Sequence, residues 1–284
     1  MTALTKIADY LRMIKFSHSI FALPFAFTGA VVAAQGIPEY SVIGWIIVAM
    51  IGARSGAMGL NRLIDCEIDK HNPRTAVREL PKGVLQKSEV ILFTFIAFGF
   101  FIFAAYKLNP LCLKLSPLAL AVFFVYSYTK RFTWLNHMVL GIALALAPLG
   151  AWIAVKGSFD ISILPLSFAV ICWVAGFDIL YALQDLDFDK RYGLYSIPVS
   201  FGVRKSLWIA RLLHILTILL LTSLLPLFEM SFLYLAGMVI AAVLLLYEHS
   251  LVKENDISRI NMAFFNVNGY ISITIFVFTL LSYL

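Results

Sequence analysis

Two groups of acidic residues stand out in this sequence. The first runs Asn61-Arg-Leu-Ile-Asp65-Cys-Glu-Ile-Asp69, and the second Asp178-Ile-Leu-Tyr181-Ala-Leu-Gln184-Asp185-Leu-Asp-Phe-Asp189. Asn61, Asp65 and Asp69 lie four apart, as do Asp185 and Asp189, and Asp178 precedes Asp185 by seven. On a continuous helix each set would share one face. Like charges at i, i+4 repel, so two such pairs call for a compensating cation. Hard oxygen ligands with no adjoining His or Cys suit Mg²⁺ or Ca²⁺ rather than zinc. An EF-hand is excluded because its glycine and ligand spacing are missing. Mg²⁺ commonly takes one or two carboxylates and completes its shell with phosphate oxygens, which makes a diphosphate the natural substrate. A solvated, mixed-charge loop is the plainer alternative for either group alone.

The basic residues nearby fit the same chemistry. Arg74 and Arg78 follow the first group in a Pro- and Gly-broken stretch, Lys130-Arg131 follow Tyr126-Ser127-Tyr128, and Lys190-Arg191 follow the second group. Guanidinium and ammonium groups ringing metal-linked acids would hold a diphosphate and stabilise it as a leaving group. Taken singly, each also reads as an ordinary charge flanking a membrane span.

The elements that must position these residues are membrane helices. Of 284 residues 61% are hydrophobic and 13% charged, against roughly 45–50% and about 25% in soluble domains. That excludes a soluble enzyme and a disordered chain, and the three scattered cysteines exclude a disulfide scaffold. Continuously apolar runs at about 17–35, 40–60, 89–107, 111–128, 134–155, 161–183, 206–226, 231–248 and 262–284 predict nine spanning helices in an all-α fold. Residues 4–14 carry apolar positions at helical spacing, which predicts either an amphipathic helix on the membrane surface or an ordinary flanking segment. The first hydrophobic stretch, containing Pro24, is too long for a cleaved signal.

With the N-terminus in the cytoplasm, 18 of the 22 Lys and Arg fall on the cytoplasmic side, and only Lys107, Lys114 and Lys156 outside. This positive-inside bias accounts for the net charge of +6 without any nucleic-acid partner. Both acidic groups then end helices on the cytoplasmic face, in enlarged loops at about 61–88 and 184–205. Arg54 is the only basic residue within a span core, where a charge costs roughly 2.5–3.5 kcal/mol, so it is expected to face an internal cavity. It would contact a substrate carboxylate or pair with a buried acid such as Asp178. Asn266 and Asn268 are expected to make interhelical hydrogen bonds. A transporter would also place charges near membrane cavities, but predicts broken helices and polar groups near the midplane.

The stretches Asn61-Arg62-x-x-Asp65-x-x-x-Asp69, Asn72-Pro73-Arg74-Thr75-Ala76-x-Arg78-x-Leu80-Pro81-x-Gly83 and Asp178-x-x-Tyr181-x-x-Gln184-Asp185-x-x-x-Asp189 resemble the signatures of the UbiA superfamily of intramembrane aromatic prenyltransferases. The resemblance runs from about Lys15 to the C-terminus. It implies nine transmembrane helices around a central cavity with cytosolic cap loops, in one domain spanning 1–284, in a cell inner membrane with the active site facing the cytoplasm. It implies transfer of a polyprenyl chain from polyprenyl diphosphate to an aromatic ring carbon, with release of diphosphate. Asp65, Asp69, Asp185 and Asp189 would hold Mg²⁺ and act in catalysis together with Asp178. Asn61, Arg74, Arg78, Lys130, Tyr181 and Lys190 would bind the donor, and Arg54 the acceptor. The stretch from Lys15 to Phe25 and Arg78-Glu-Leu-Pro81-Lys-Gly83 are similar to the branch acting on 4-hydroxybenzoate in ubiquinone biosynthesis. A close variant of that branch serves menaquinone biosynthesis, with 1,4-dihydroxy-6-naphthoate as acceptor.

Overall fold

In a computed structural model, residues 3–15 and 19–284 are described, and their regular structure is helical apart from one isolated bridge between Lys253 and Asp256. The helices are α1 (Ala3–Met13), α2 (Ser19–Ala34), α3 (Tyr40–His71), α4 (Lys87–Leu108), α5 (Pro110–Thr129), α6 (Asn136–Lys156), α7 (Leu164–Ala182), α8 (Leu186–Tyr192), α9 (Ile197–Thr222), α10 (Leu224–Leu227), α11 (Phe232–Leu251) and α12 (Asn268–Leu281). A π-helical turn, Met262–Val267, leads into α12. Among the described residues, eight helical segments are long and apolar enough to cross a membrane. The first expected span is the shorter α2, 16 residues or about 24 Å, whose predicted beginning falls partly on residues 16–18, outside the described ones.

The helices close into a ring. α3 packs on α4 and α5, α5 on α6, α6 on α2, α2 on α12, α12 on α11, and α11 on α9, which packs on α7. α7 also packs on α6, and it is apolar on every side, as a helix enclosed by others must be. Small residues bring backbones together at the seams. A Cβ on Gly52 would lie 2.7 Å from both the Ala97 carbonyl oxygen and the Phe101 nitrogen of α4, and one on Gly141 would lie 2.6 Å from the Ile171 carbonyl oxygen of α7.

The close pair α4–α5 is separated at Asn109. Its extended backbone stops α4, its side chain accepts from the Cys112 N–H at 2.9 Å as an N-cap, and its amide donates to Ile153 O of α6 at 2.8 Å. α3 has 32 residues, about 48 Å, so its last turns extend beyond a hydrocarbon core of roughly 30 Å. It stops where Asn72, ahead of Pro73, turns extended.

α1 forms as its periodicity predicts but is not a free surface helix. Met13 and Ile14 are buried with Cys66, Leu80, Leu85 and Val90, and Tyr10 stacks on Phe93 at 4.9 Å between ring centroids. Lys6 pairs with Glu89, and Arg12 with Asp9. Ile7 and Leu11 remain exposed. α1 thus straps the loop that follows α3. At the opposite side of the ring Asn268 makes the expected interhelical hydrogen bond, donating to Glu248 Oε1 at 3.0 Å, whereas Asn266 is exposed.

Candidate active site

One cavity of about 190 Å³ opens at the end of the bundle where α3, α5, α6 and α7 bring their polar termini together. It is smaller than the usual 300–1,000 Å³ ligand pocket, which suits a compact head group rather than a whole lipid. Asn61, Asp65, Asp69, Arg74, Arg78, Lys130, Asp178, Tyr181, Asp185 and Asp189 all line it. The two acidic groups, 120 residues apart in sequence, therefore share one cleft.

α3 carries the first group on one continuous face. Asp65 is buried, and its Oδ2 accepts from Lys130 Nζ at 2.7 Å and from Asn61 Nδ2 at 3.1 Å. Its Oδ1 is buried with no hydrogen bond, with Arg131 Nη2 3.5 Å away. Asp69, also buried, accepts from Arg78 Nη1 at 2.6 Å. The second group has a different backbone from the one its spacing predicts. α7 stops at Ala182, a 3-10 turn covers Leu183–Asp185, and α8 restarts the helix at Leu186. Asp178 and Asp185 therefore do not share an unbroken helical face. Asp185 is instead clamped from outside: Arg74 donates from Nε at 2.8 Å and also from Nη2, and Asn72 Nδ2 donates at 2.9 Å. Arg74 donates on to the Tyr181 hydroxyl at 3.3 Å and lies 5.3 Å from that ring's centroid. Burial opposes the Arg74 charge, but the Asp185 hydrogen bonds outweigh it and hold the guanidinium pKa above its ordinary value.

Asp189 has no hydrogen-bond or ion-pair partner for its side chain among the described residues, although it lines the cavity. Asp178 pairs with His137 Nδ1 at 2.7 Å, and so not with Arg54. Arg54 does not line the cavity, and its buried Nε is without a hydrogen bond. Lys190 is exposed and does not line the cavity.

Several lining residues carry no role in the sequence reading, whether or not they fall in its motifs. Arg62 is buried and tied to the strap by its Nε donating to Met13 O at 3.3 Å, and Asn72, Tyr126, Asn136 and His137 join it. Arg62 adjoins Asn61 in the first motif and could have been read with it. His137 follows Asn136 at the start of α6, on the same end as the acids, which is the only sequence signal it carries.

Whether a divalent cation fits can be judged from the charges present. Five carboxylates and four permanent cations, Arg62, Arg74, Arg78 and Lys130, line the cavity. The cations are thus already neutralised, and a diphosphate entering alone would meet no net positive charge. Asp189 and Asp65 Oδ1 are hard oxygen ligands without a hydrogen bond among the described residues. Among the described residues no three His, Cys, Asp or Glu groups come together as a cage for a bare ion. This donor set suits Mg²⁺, which is normally completed by substrate phosphate oxygens rather than enclosed by protein.

Comparison with known proteins agrees with this geometry. Residues 22–270 match the UbiA prenyltransferase family. The 4-hydroxybenzoate octaprenyltransferase of Vibrio parahaemolyticus is 30% identical over 246 residues, 86% of each chain. Its namesake from Yersinia pseudotuberculosis is 30% identical over 290 residues, covering 99% of this chain and 98% of its own. Among solved structures, a UbiA homolog from Aeropyrum pernix K1 superposes with a TM-score of 0.86 at 28% identity, covering 94% of this chain and 98% of that one. A UbiA homolog from Archaeoglobus fulgidus bound to DMAPP and Mg²⁺ shares the fold, with a TM-score of 0.69 at 20% identity and coverage of 96% and 99%. An acid-lined cleft at one end of a helical ring, with a family match over most of its length, places this chain in the UbiA prenyltransferase family.

Proposed function

We propose that this chain transfers a polyprenyl group from polyprenyl diphosphate to a ring carbon of an aromatic acid, 4-hydroxybenzoate in the first instance, in quinone biosynthesis. It works as one membrane domain, 1–284, in the cell inner membrane, with the cleft facing the cytoplasm, the side on which 18 of the 22 Lys and Arg fall. The observation that carries the reading is the single cavity in which both acidic groups alternate with Arg74, Arg78 and Lys130. The name shared by the Vibrio and Yersinia relatives supports the choice of acceptor.

Asp65, Asp69, Asp185 and Asp189 would hold Mg²⁺, which supplies positive charge to the diphosphate and makes it a better leaving group. Arg74, Arg78 and Lys130 exchange part of their carboxylate bonding for phosphate oxygens, and Asn61 donates from the α3 side. The Tyr181 hydroxyl and ring keep the Arg74 guanidinium oriented while it does so. The departing group is thereby neutralised, and the allylic C–O bond ionises. The acceptor's ring carbon ortho to its hydroxyl then forms the new C–C bond. Asp178, set back from the metal-binding acids, faces the acceptor hydroxyl. Arg54, a cation without a partner among the described residues, lies about two turns before Asn61 on α3 and off the polar cavity; it serves an acceptor carboxylate bound deeper in the bundle than the diphosphate.

The test is purified protein in detergent with Mg²⁺, a long-chain polyprenyl diphosphate, and either 4-hydroxybenzoate or 1,4-dihydroxy-6-naphthoate. Prenylated 4-hydroxybenzoate with stoichiometric diphosphate is the expected result. Product from the naphthoate alone would move the chain to menaquinone biosynthesis, and no diphosphate release with either acceptor would overturn the reading.

A further inference from the structure

Asp178 is the one cavity acid that neither belongs to a four-spaced pair nor touches Arg or Lys. Its partner is His137, the second residue of α6 and 1% exposed. The two ring nitrogens of His137 have different neighbours. Nδ1 lies 2.7 Å from Asp178 Oδ2, and the backbone N–H of Ile197 donates to Nε2 at 3.3 Å. A peptide N–H can only donate, so Nε2 is the unprotonated acceptor, and the single ring proton of the neutral imidazole sits on Nδ1. That proton points at Asp178. Ile197 has an N–H to spare because it is the first residue of α9, where no carbonyl lies four residues back within the helix. Ser196 caps the same turn by accepting from Val199 N at 3.3 Å, so the end is fixed rather than frayed.

This arrangement has a chemical consequence. The Ile197 N–H occupies His137 Nε2, which leaves the Nδ1 proton for Asp178. The ring serves as a fixed donor to Asp178 Oδ2. His137 stands in the first turn of α6, and Ile197 opens α9, so two helix N-termini meet at this pair. Asp178 Oδ1 has no hydrogen bond among the described residues, and the side chain is 24% exposed, toward the cavity. The other ionisable groups lining the cavity are Tyr126 of α5, Tyr181 of α7, and the metal-binding acids and basic residues already described.

We propose that His137 is a positioning residue: held as the Nδ1–H tautomer by the Ile197 N–H, it donates to Asp178 Oδ2 and so turns Oδ1 toward the acceptor to take its phenolic proton. This rests on the prenyl-transfer reading above. In the step, the phenol O–H proton moves to Asp178 Oδ1 and the ortho ring carbon bonds to C1 of the allylic chain. The C–O bond of the donor breaks, with its electron pair leaving on the diphosphate. The resulting dienone recovers its hydroxyl from Asp178 while the ring C–H proton leaves to a diphosphate oxygen, so the carboxylate is regenerated.

The experiment uses the full chain in detergent and compares wild type with His137→Leu, His137→Gln and Asp178→Asn, each checked for retained melting temperature. The acceptors are 4-hydroxybenzoate and its more acidic 3-fluoro analogue. His137→Leu is expected to lower kcat at least about 10-fold with 4-hydroxybenzoate, and Asp178→Asn about 100-fold, the scale of general-base assistance. The donor KM should stay within about twofold in both variants. The His137→Leu deficit should shrink with the fluorinated phenol, which gives up its proton more easily, and His137→Gln, which keeps a donor and an acceptor, should recover most of the rate. A merely structural role would lower both acceptors equally. Equal deficits, an unchanged kcat in His137→Leu, or no recovery in a folded His137→Gln would overturn the proposal. If Asp178→Asn keeps full activity, the role of Asp178 fails along with it; if no protein variant, wild type included, prenylates either phenol, the prenyl-transfer reading fails first.

Discussion

The two halves of the cleft use the same acid spacing on unlike backbones. On α3, Asp65 and Asp69 stand on an uninterrupted 32-residue helix, nearly inaccessible, each held by a Lys or Arg from another element. Across the cavity, Asp185 ends a 3-10 turn and Asp189 sits on the seven-residue α8 without a partner among the described residues. Among the described residues, the ties holding Asp185 to the α3 side are Asn72 and Arg74, both from the loop after α3. The first half is thus prebuilt, and the second takes its position from the first. The difference teaches that the loop between α3 and α4 is the part that joins the site, and that the halves should respond unequally to mutation.

The largest effect expected is from the acids themselves. Asp65→Ala and Asp185→Ala should each cut kcat about 100- to 1,000-fold, as loss of a preorganised electrostatic group does. Only Asp65→Ala should also lower the melting temperature, since it leaves Lys130 facing a gap where a buried acid stood. Equal melting temperatures for the two would erase the contrast between prebuilt and borrowed halves. Next in size is the cation dependence. Chelation with EDTA should abolish turnover, and inorganic diphosphate should raise the melting temperature only when Mg²⁺ is present. Stabilisation by diphosphate alone would contradict the charge balance of the cavity.

Arg74→Lys should raise the donor KM about 10-fold, on the scale of one lost charge-assisted hydrogen bond. Arg78→Lys should do less, because Arg78 donates through a single nitrogen to Asp69 and does not bridge the halves. Parity between the two would argue against the joining role of the loop. Arg54→Ala should raise the acceptor KM several-fold with the donor KM unchanged, and an unchanged acceptor KM in a folded protein would remove Arg54 from the site. The smallest expected effect is on stability alone: Gly52→Ala presses a methyl group on the α4 backbone and should cost about 1–3 kcal/mol, read as a lower melting temperature with kcat little changed.

Much of this was legible because charge is rare in an apolar sequence. The acids, Arg74, Arg78 and Lys130 all fall where the polar residues crowd between spans, and the cleft gathers them. The continuation of α3 beyond the membrane boundary follows from the Asn61–Asp65–Asp69 spacing. The break at 183–185 was not legible. Ala182, Leu183 and Gln184 are sound helix formers, and no Gly or Pro marks the turn; it coincides with a tertiary clamp, Arg74 and Asn72 on Asp185. Arg54 and Lys190 lie off this polar cavity, because position along a helix does not fix which way a side chain faces when the neighbouring helices are unknown. His137 escaped because its role depends on a backbone N–H from a helix 60 residues away.

The length of α3 sets the depth at which the chemistry happens. A helix of about 48 Å in a core of roughly 30 Å carries Asp65 and Asp69 out to the head-group level. A lipid-borne diphosphate already rests at that level, so it can enter the cleft sideways without being lifted from the bilayer. For such an enzyme the relevant donor concentration is a surface density, moles of donor per mole of lipid, and diluting the membrane with inert lipid should slow it even when the bulk concentration of every component is held constant.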